Sequence, residues 1–167
     1  MIMLPLTLLA IQKVSDLLTS DSALAQELTN LALSNGTNIP SVDSEHVIMS
    51  SVVNDLGDTD SRLGYPRVCL YSSGLKNSQH EKFCSVSGVL SATADIWTSA
   101  NLLEDTDRWI HYYVEAVSVL LRKNSGDWGD GIFFSGVYDV QFQSPRTGGL
   151  GFIQLARLKF DLMVSQG

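Results

Sequence analysis

Two spacings of apolar residues alternate along the chain. Leu4, Leu8, Ile11, Leu17 and Leu18 recur near helical spacing over residues 4–18. Pro5 suits a first helical turn. A second helix begins at Ser20 or Asp21, carries Leu24, Leu28 and Leu31 as its stripe, and stops at Asn35-Gly36. The small polar turn between them makes an αα-hairpin. Residues 35–66 are poorly patterned. His46-Val47-Ile48-Met49 reads as a short strand, NDLGDTDSRLG (54–64) as a polar loop, and Tyr65-Pro66 as the start of a strand from Arg67 to Ser72.

Residues 81–97 change period. Cys84, Val86, Gly88, Leu90, Ala92, Ala94 and Ile96 alternate with Ser85, Ser87, Ser91, Thr93 and Asp95, which predicts a long strand with one wet face. A helix follows from Asp107 to Lys123, capped by Asp105 or Thr106. Trp109, Tyr113, Ala116, Val117 and Leu120 share one of its faces; His111, Glu115, Ser118 and Arg122 share the other. Two strands close the chain, and both place their apolar residues on even positions: Gly136, Tyr138, Val140 and Phe142, then Phe152, Ala156, Leu158, Phe160, Leu162 and Val164. A hairpin that keeps even opposite even is centred on Thr147 and pairs Phe142 with Phe152.

The expected class is therefore α+β: an antiparallel sheet with the long helix packed on one face and an N-terminal helical hairpin. The chain reads as one domain of three parts: residues 1–36, the helical hairpin; 37–66, an irregular connection; and 67–167, the sheet-plus-helix core.

Composition narrows the function. The 167 residues are 44% apolar and 17% charged, which is globular rather than disordered. A net charge of −7, with 11 scattered basic residues, argues against broad contact with nucleic-acid phosphates. The opening MIMLPLTLLAIQKVSDLL has no basic leader and no small-residue cleavage site, and its apolar run is too short for a bilayer, so it reads as a buried helix.

Candidate chemistry is sparse. TGGLGFIQ (147–154) approaches the phosphate-cradling turn of nicotinamide-dependent reductases. That turn must follow a strand and open a helix, yet the residues after Gln154 alternate as a strand. Its glycines are expected to supply positive φ in a hairpin loop. In DLGDTDS (55–61) an EF-hand count from Asp58 fits Asp60, but Arg62 occupies the third ligand position and Gly64 falls one residue late. His46, His80 and His111 show no metal spacing. His46, Asp58 and Asp60 are the residues an enzyme reading would use, and a pocket between the long helix and the sheet is what a ligand-binding reading would use. No nucleophile elbow occurs. Cys84 falls on the inward face of its strand; Cys69 faces outward if Val68 and Leu70 face inward, which would keep the two thiols apart. Trp128 sits among Asp127, Gly129, Asp130 and Gly131; such a ring is either folded back as a lid or presented to a partner.

The whole layout resembles the tail-terminator and tail-completion proteins at the neck of long-tailed bacteriophages. The resemblance is carried by the N-terminal helices, the strand Tyr65-Pro66-Arg67-Val68-Cys69-Leu70, the long strand ending Asp95-Ile96-Trp97, the helix DRWIHYYVEAVSVLLRK, and the closing VYDVQFQ … GLGFIQLARLKFDLMV. It implies a non-catalytic structural protein of the virion, made in the host cytoplasm and carrying no cofactor. It implies a homo-oligomeric ring, often a hexamer, that caps the tail tube and joins it to the head-side connector or adaptor. The resemblance leaves open contact with a tail sheath, is compatible with DNA passing through the ring without specific binding, and implies no membrane partner. Longer N-terminal helices than the simplest members carry leave open another neck component, a head-completion or connector-adaptor protein. The expected interaction residues are Trp128, Asp127 and Asp130 in one loop and Arg146, Thr147, Gly148 and Gly149 at the hairpin tip.

Overall fold

The computed structural model describes residues 4–51, 64–79, 81–148 and 151–167. Helix α1 (Leu6–Thr19) and helix α2 (Ala23–Asn35) are joined by one 3-10 turn, Ser20–Ser22. Asp21 and Ser22 there hold left-handed backbone, with φ of 52° and 56°. A second 3-10 turn, Ser44–His46, leads into strand β1 (Val47–Ile48). Then come β2 (Arg67–Asn77), β3 (Val86–Ala100), helix α3 (Leu103–Lys123), β4 (Gly126–Asp127), β5 (Ile132–Phe142), β6 (Arg146–Gly148) and β7 (Gly151–Gln166).

The fold is α+β, and the sheet is mixed rather than antiparallel throughout. Its order is β1-β2-β3-β7-β5-β4, with β6 also on β7, and β1 runs parallel to β2. Two hairpins, β2–β3 and β5–β7, meet along the antiparallel β3–β7 pair, which runs from Val86↔Gln166 to Ala100↔Phe152.

One face of this sheet is the core. Val68 and Leu70, Leu90, Ala92, Ala94 and Ile96, Phe134, and Ala156, Leu158, Phe160 and Leu162 pack there, all on even positions as the alternation requires. Ile110, Tyr113, Ala116, Val117, Leu120 and Leu121 of α3 fill the space above it, joined by Ala10, Ile11, Val14 and Leu18 of α1 and Leu24 and Leu28 of α2. The Tyr113 hydroxyl donates to the Pro40 carbonyl at 2.9 Å, so the core aromatic also ties down the irregular connection. Burial pushes that phenol well above its usual range.

Several local expectations are corrected. Helix α3 starts four residues early, at Leu103, and no side chain caps it. Glu104 and Asp105 still occupy its first turn and Arg122 and Lys123 its last, which favours the helix dipole. Ser118 is buried rather than wet, because α3 is covered by α2 and the sheet over a wider arc than one stripe. The long strand begins at Val86, so Cys84 lies in the turn before it, half-buried, with Sγ 3.2 Å from the Ser165 Oγ. Both cysteines are free, and Cys69 does face away from the core.

The closing hairpin keeps even opposite even but in another register. Phe142 pairs with Ala156, and β6 forms its own short ladder, Arg146↔Ile153 to Gly148↔Gly151. Gly151 serves differently from the expectation, since its φ is not positive; Gly149 lies outside the described residues. A Cβ on Gly151 would stand 3.0 Å from the Ala100 carbonyl oxygen, so this residue permits close approach of two backbones.

Candidate assembly surfaces

The second face of the sheet is polar along most of its length. On β3 it is not the wet face expected, because Ser87, Thr93 and Asp95 are buried between the neighbouring strands. A groove of about 740 Å³ runs over it, lined by Tyr71, Ser73, Thr93, Asp139, Arg157 and Lys159 among others. At its centre Asp95 and Arg157 are direct cross-strand partners. Arg157 donates through both Nε and Nη2 to the two Asp95 oxygens at 2.7 and 2.8 Å, and the Tyr71 hydroxyl donates to Asp95 Oδ2 at 3.0 Å. The Asp95 side chain is 4% exposed and that of Arg157 35%. The bidentate bond to Asp95 holds the guanidinium proton beyond its ordinary range. Burial, then the neighbouring Asp95 charge, pushes the Tyr71 phenol upward.

Toward the β1 end this face turns apolar. Cys69, Trp97, Ile153 and Leu155 form a second cluster, flanked by Ile48 and Tyr65. The buried Arg67 guanidinium lies 4.4 Å from the Tyr65 ring centre and 5.1 Å from that of Trp97. Burial raises the Cys69 thiol to about 11, against an opposing pull from Arg67. A buried, protonated thiol of this kind is a packing residue, not a nucleophile.

Toward the other end the strands outrun the helices. From Ser72 to Asn77 every β2 residue is exposed, on both faces, and β1 covers the β2 edge only at Val68 and Cys69. The outer edge of β5 is paired by β4 only at Phe133 and Phe134. The Trp128 amide also donates to the Ile132 carbonyl at 2.8 Å, and the Ile132 amide to the Gly129 carbonyl at 3.1 Å; among the described residues no strand pairs the rest of these two outer edges. Each edge carries a bulge, between Ser72 and Gly74 in β2 and between Phe134 and Tyr138 in β5. Large apolar side chains stand in water nearby: Leu75, Phe133, Val137 and Met163, and above all Phe83 at 97% exposure.

The expected interaction residues separate into two groups. Trp128 is a lid. Its ring centre lies 5.5 Å from that of Phe134, its Nε1 donates to the Asn124 carbonyl at 2.6 Å, and its own carbonyl accepts from Lys13 Nζ at 2.8 Å. Asp127 caps the Gly129 amide at 2.8 Å, and Asp130 pairs with Lys13 at 2.9 Å. Arg146 and Thr147 are exposed on β6, and Gly148 is half-buried; Gly149 lies outside the described residues. The two groups attach to β7 near Met163 and near Phe152 respectively. Eleven residues of strand separate those positions, about 35 Å, so they belong to opposite ends of the sheet and make no single patch.

Of the residues an enzyme would use, His46 ends a 3-10 turn beside Gly64, whereas Asp58 and Asp60 lie outside the described residues. His80 does too; His111 is exposed and stacks on Phe142 at 4.6 Å. Among the described residues no three His, Cys, Asp or Glu side chains gather as a metal site, and no helix is long and apolar enough to cross a membrane. The Asp95–Arg157–Tyr71 cluster was hidden because it needs the β3–β7 pairing, which joins residues 62 apart. Phe83 was hidden inside a stretch read as strand. No protein-family model matches the chain, and no curated protein matches it at a significant level.

Proposed function

We propose that the chain is a structural subunit that assembles with copies of itself into a ring, in the manner of the phage tail terminators it resembles in layout. In that role it would cap a tail tube and meet a head-side connector or adaptor. One observation supports the reading: among the described residues, a single sheet presents two bulged edges that are unpaired along most of their length, one on each side. An open edge is a row of unpaired donors and acceptors that adds another strand readily. The bulges in both edges, with Lys76 on one, disfavour indiscriminate pairing and leave a shaped partner as the one that fits. A net charge of −7 suits a channel that DNA passes without sticking.

The reading is tested by sedimentation velocity and electron microscopy of the purified chain. A closed ring with an open channel is expected; a chain that stays monomeric at high micromolar concentration overturns it.

A further inference from the structure

We propose that Phe83 is an assembly knob that seats in an apolar groove of a second copy of this chain. The inference rests on the assembly reading above and names the contact that gives it direction.

Phe83 lies in the connection between β2 and β3, in a turn closed by the Cys84 amide donating to the Glu81 carbonyl at 3.3 Å. Its φ is 71°. It holds the third position of that turn, where positive φ costs glycine nothing and strains a bulky residue. Its side chain is also the most exposed large apolar group described, at 97%. A strained backbone and a wet aromatic ring thus fall on one residue. Strain of this kind persists where a function offsets it. Seating the ring would cover about 150–250 Å² of surface.

The same chain carries a groove of matching chemistry. It holds about 510 Å³ and is lined by Ile132, Phe133, Met163 and Val164, with Glu81 of the Phe83 turn and Asp127 among its polar residues. Phe133 and Met163 are direct cross-strand partners, 42% and 50% exposed. A flexible thioether beside an aromatic ring receives another ring well. The knob and the groove lie at the same end of the sheet, since the Ser85 amide donates to the Gln166 carbonyl at 2.7 Å, three residues beyond Met163 on β7. The contact proposed is head to tail: the knob of each copy fills the groove of the next, which leaves an open end until a ring closes. Lying level along the strands, they let the contact repeat without climbing along them.

The test uses the full chain, Phe83→Gly, Met163→Glu and an equimolar mixture of the two variants, followed by sedimentation velocity and thermal melting. Phe83→Gly is expected to keep or raise the melting temperature, because it relieves strain, and to weaken each contact about 10- to 100-fold. Met163→Glu, on an exposed face, is expected to fold and to weaken assembly alike. In the mixture, Met163→Glu keeps its knob and Phe83→Gly keeps its groove, so a one-to-one dimer that cannot extend is expected. Rings that persist in both variants, or a mixture that stays monomeric, overturn the inference while the assembly reading stands. A monomeric parent chain overturns the assembly reading itself.

Discussion

Replacing Trp128 by Ala separates a lid from a docking handle. As a lid the indole contributes three ways. Its half-buried ring loses part of the roughly 3–5 kcal/mol that a fully buried aromatic loses on truncation. The Nε1 bond to the Asn124 carbonyl, at 2.6 Å, contributes about 0.5–1.5 kcal/mol. The tilted contact with Phe134, at 5.5 Å, adds about 0.5–1 kcal/mol. We therefore expect the subunit to lose about 3 kcal/mol, a fall of roughly 6–12 °C in melting temperature for a chain of this size. Trp128→Phe keeps the ring and drops the bond, so about 1 kcal/mol is expected. The assay is chemical denaturation at a dilution where the chain is monomeric, since assembly would otherwise add to apparent stability. A loss under 1 kcal/mol for Trp128→Ala, with assembly abolished, would refute the lid and restore the indole as a handle.

Arg157→Met should cost more than Asp95→Ala, about 3 against about 2 kcal/mol in urea unfolding, because it strands the more buried charge while Arg157 can reach water. Gly131→Ala should cost about 3 kcal/mol or more, since φ is +73° and the added Cβ would fall 1.8 Å from the Ser165 carbonyl oxygen; a loss below 1 kcal/mol contradicts the geometry. A thiol reagent should label Cys84 well before Cys69, as read by mass spectrometry. The Cys69 thiol is raised from 9.0 to about 11, so the unfolded chain releases this proton first; its contribution is whole below pH 9 and is lost as pH rises toward 11. Cys69→Ala should flatten that part of the pH–stability curve, and an unchanged slope would count against burial of the thiol.

The core face was legible because period-2 alternation dictates facing whatever the strand order. Val68, Leu90, Leu158 and Phe160 follow it without exception, and Cys69 turns outward for the same reason. Pairing between distant strands leaves no such mark. The parallel β1–β2 ladder is two residues long and follows a connection with no period, so nothing in the pattern sets its direction. Alternation through Cys84 and Ser85 looked like strand, yet the left-handed backbone at Phe83 breaks the extended path just before it. Parity of the last hairpin was legible; its register was not, because β5 is bulged at Gly136 and β6 forms its own ladder. Trp128 left two alternatives open in sequence because its fate depends on Phe134 and Asn124, which flank it but do not reveal whether the loop folds back.

The far half of β2 poses the clearest physical question about an isolated subunit. Ordering each of its residues from Ser72 to Asn77 costs about 1–2 kcal/mol of backbone entropy. Against that, the segment buries little, since all six residues are exposed and one ladder, to β3, is its only paired edge among those described. Net, each ladder hydrogen bond contributes about 0.5–1.5 kcal/mol, so the segment is close to balance on its own. A second ladder on the outer edge, or a seated Phe83 at its end, would shift that balance toward order without any change in the core. In the proposed assembly the ordering of this arm and the contact are one event, and amide exchange should slow along residues 72–77 on assembly, ahead of any change in the strands β3 and β7 that the core already holds.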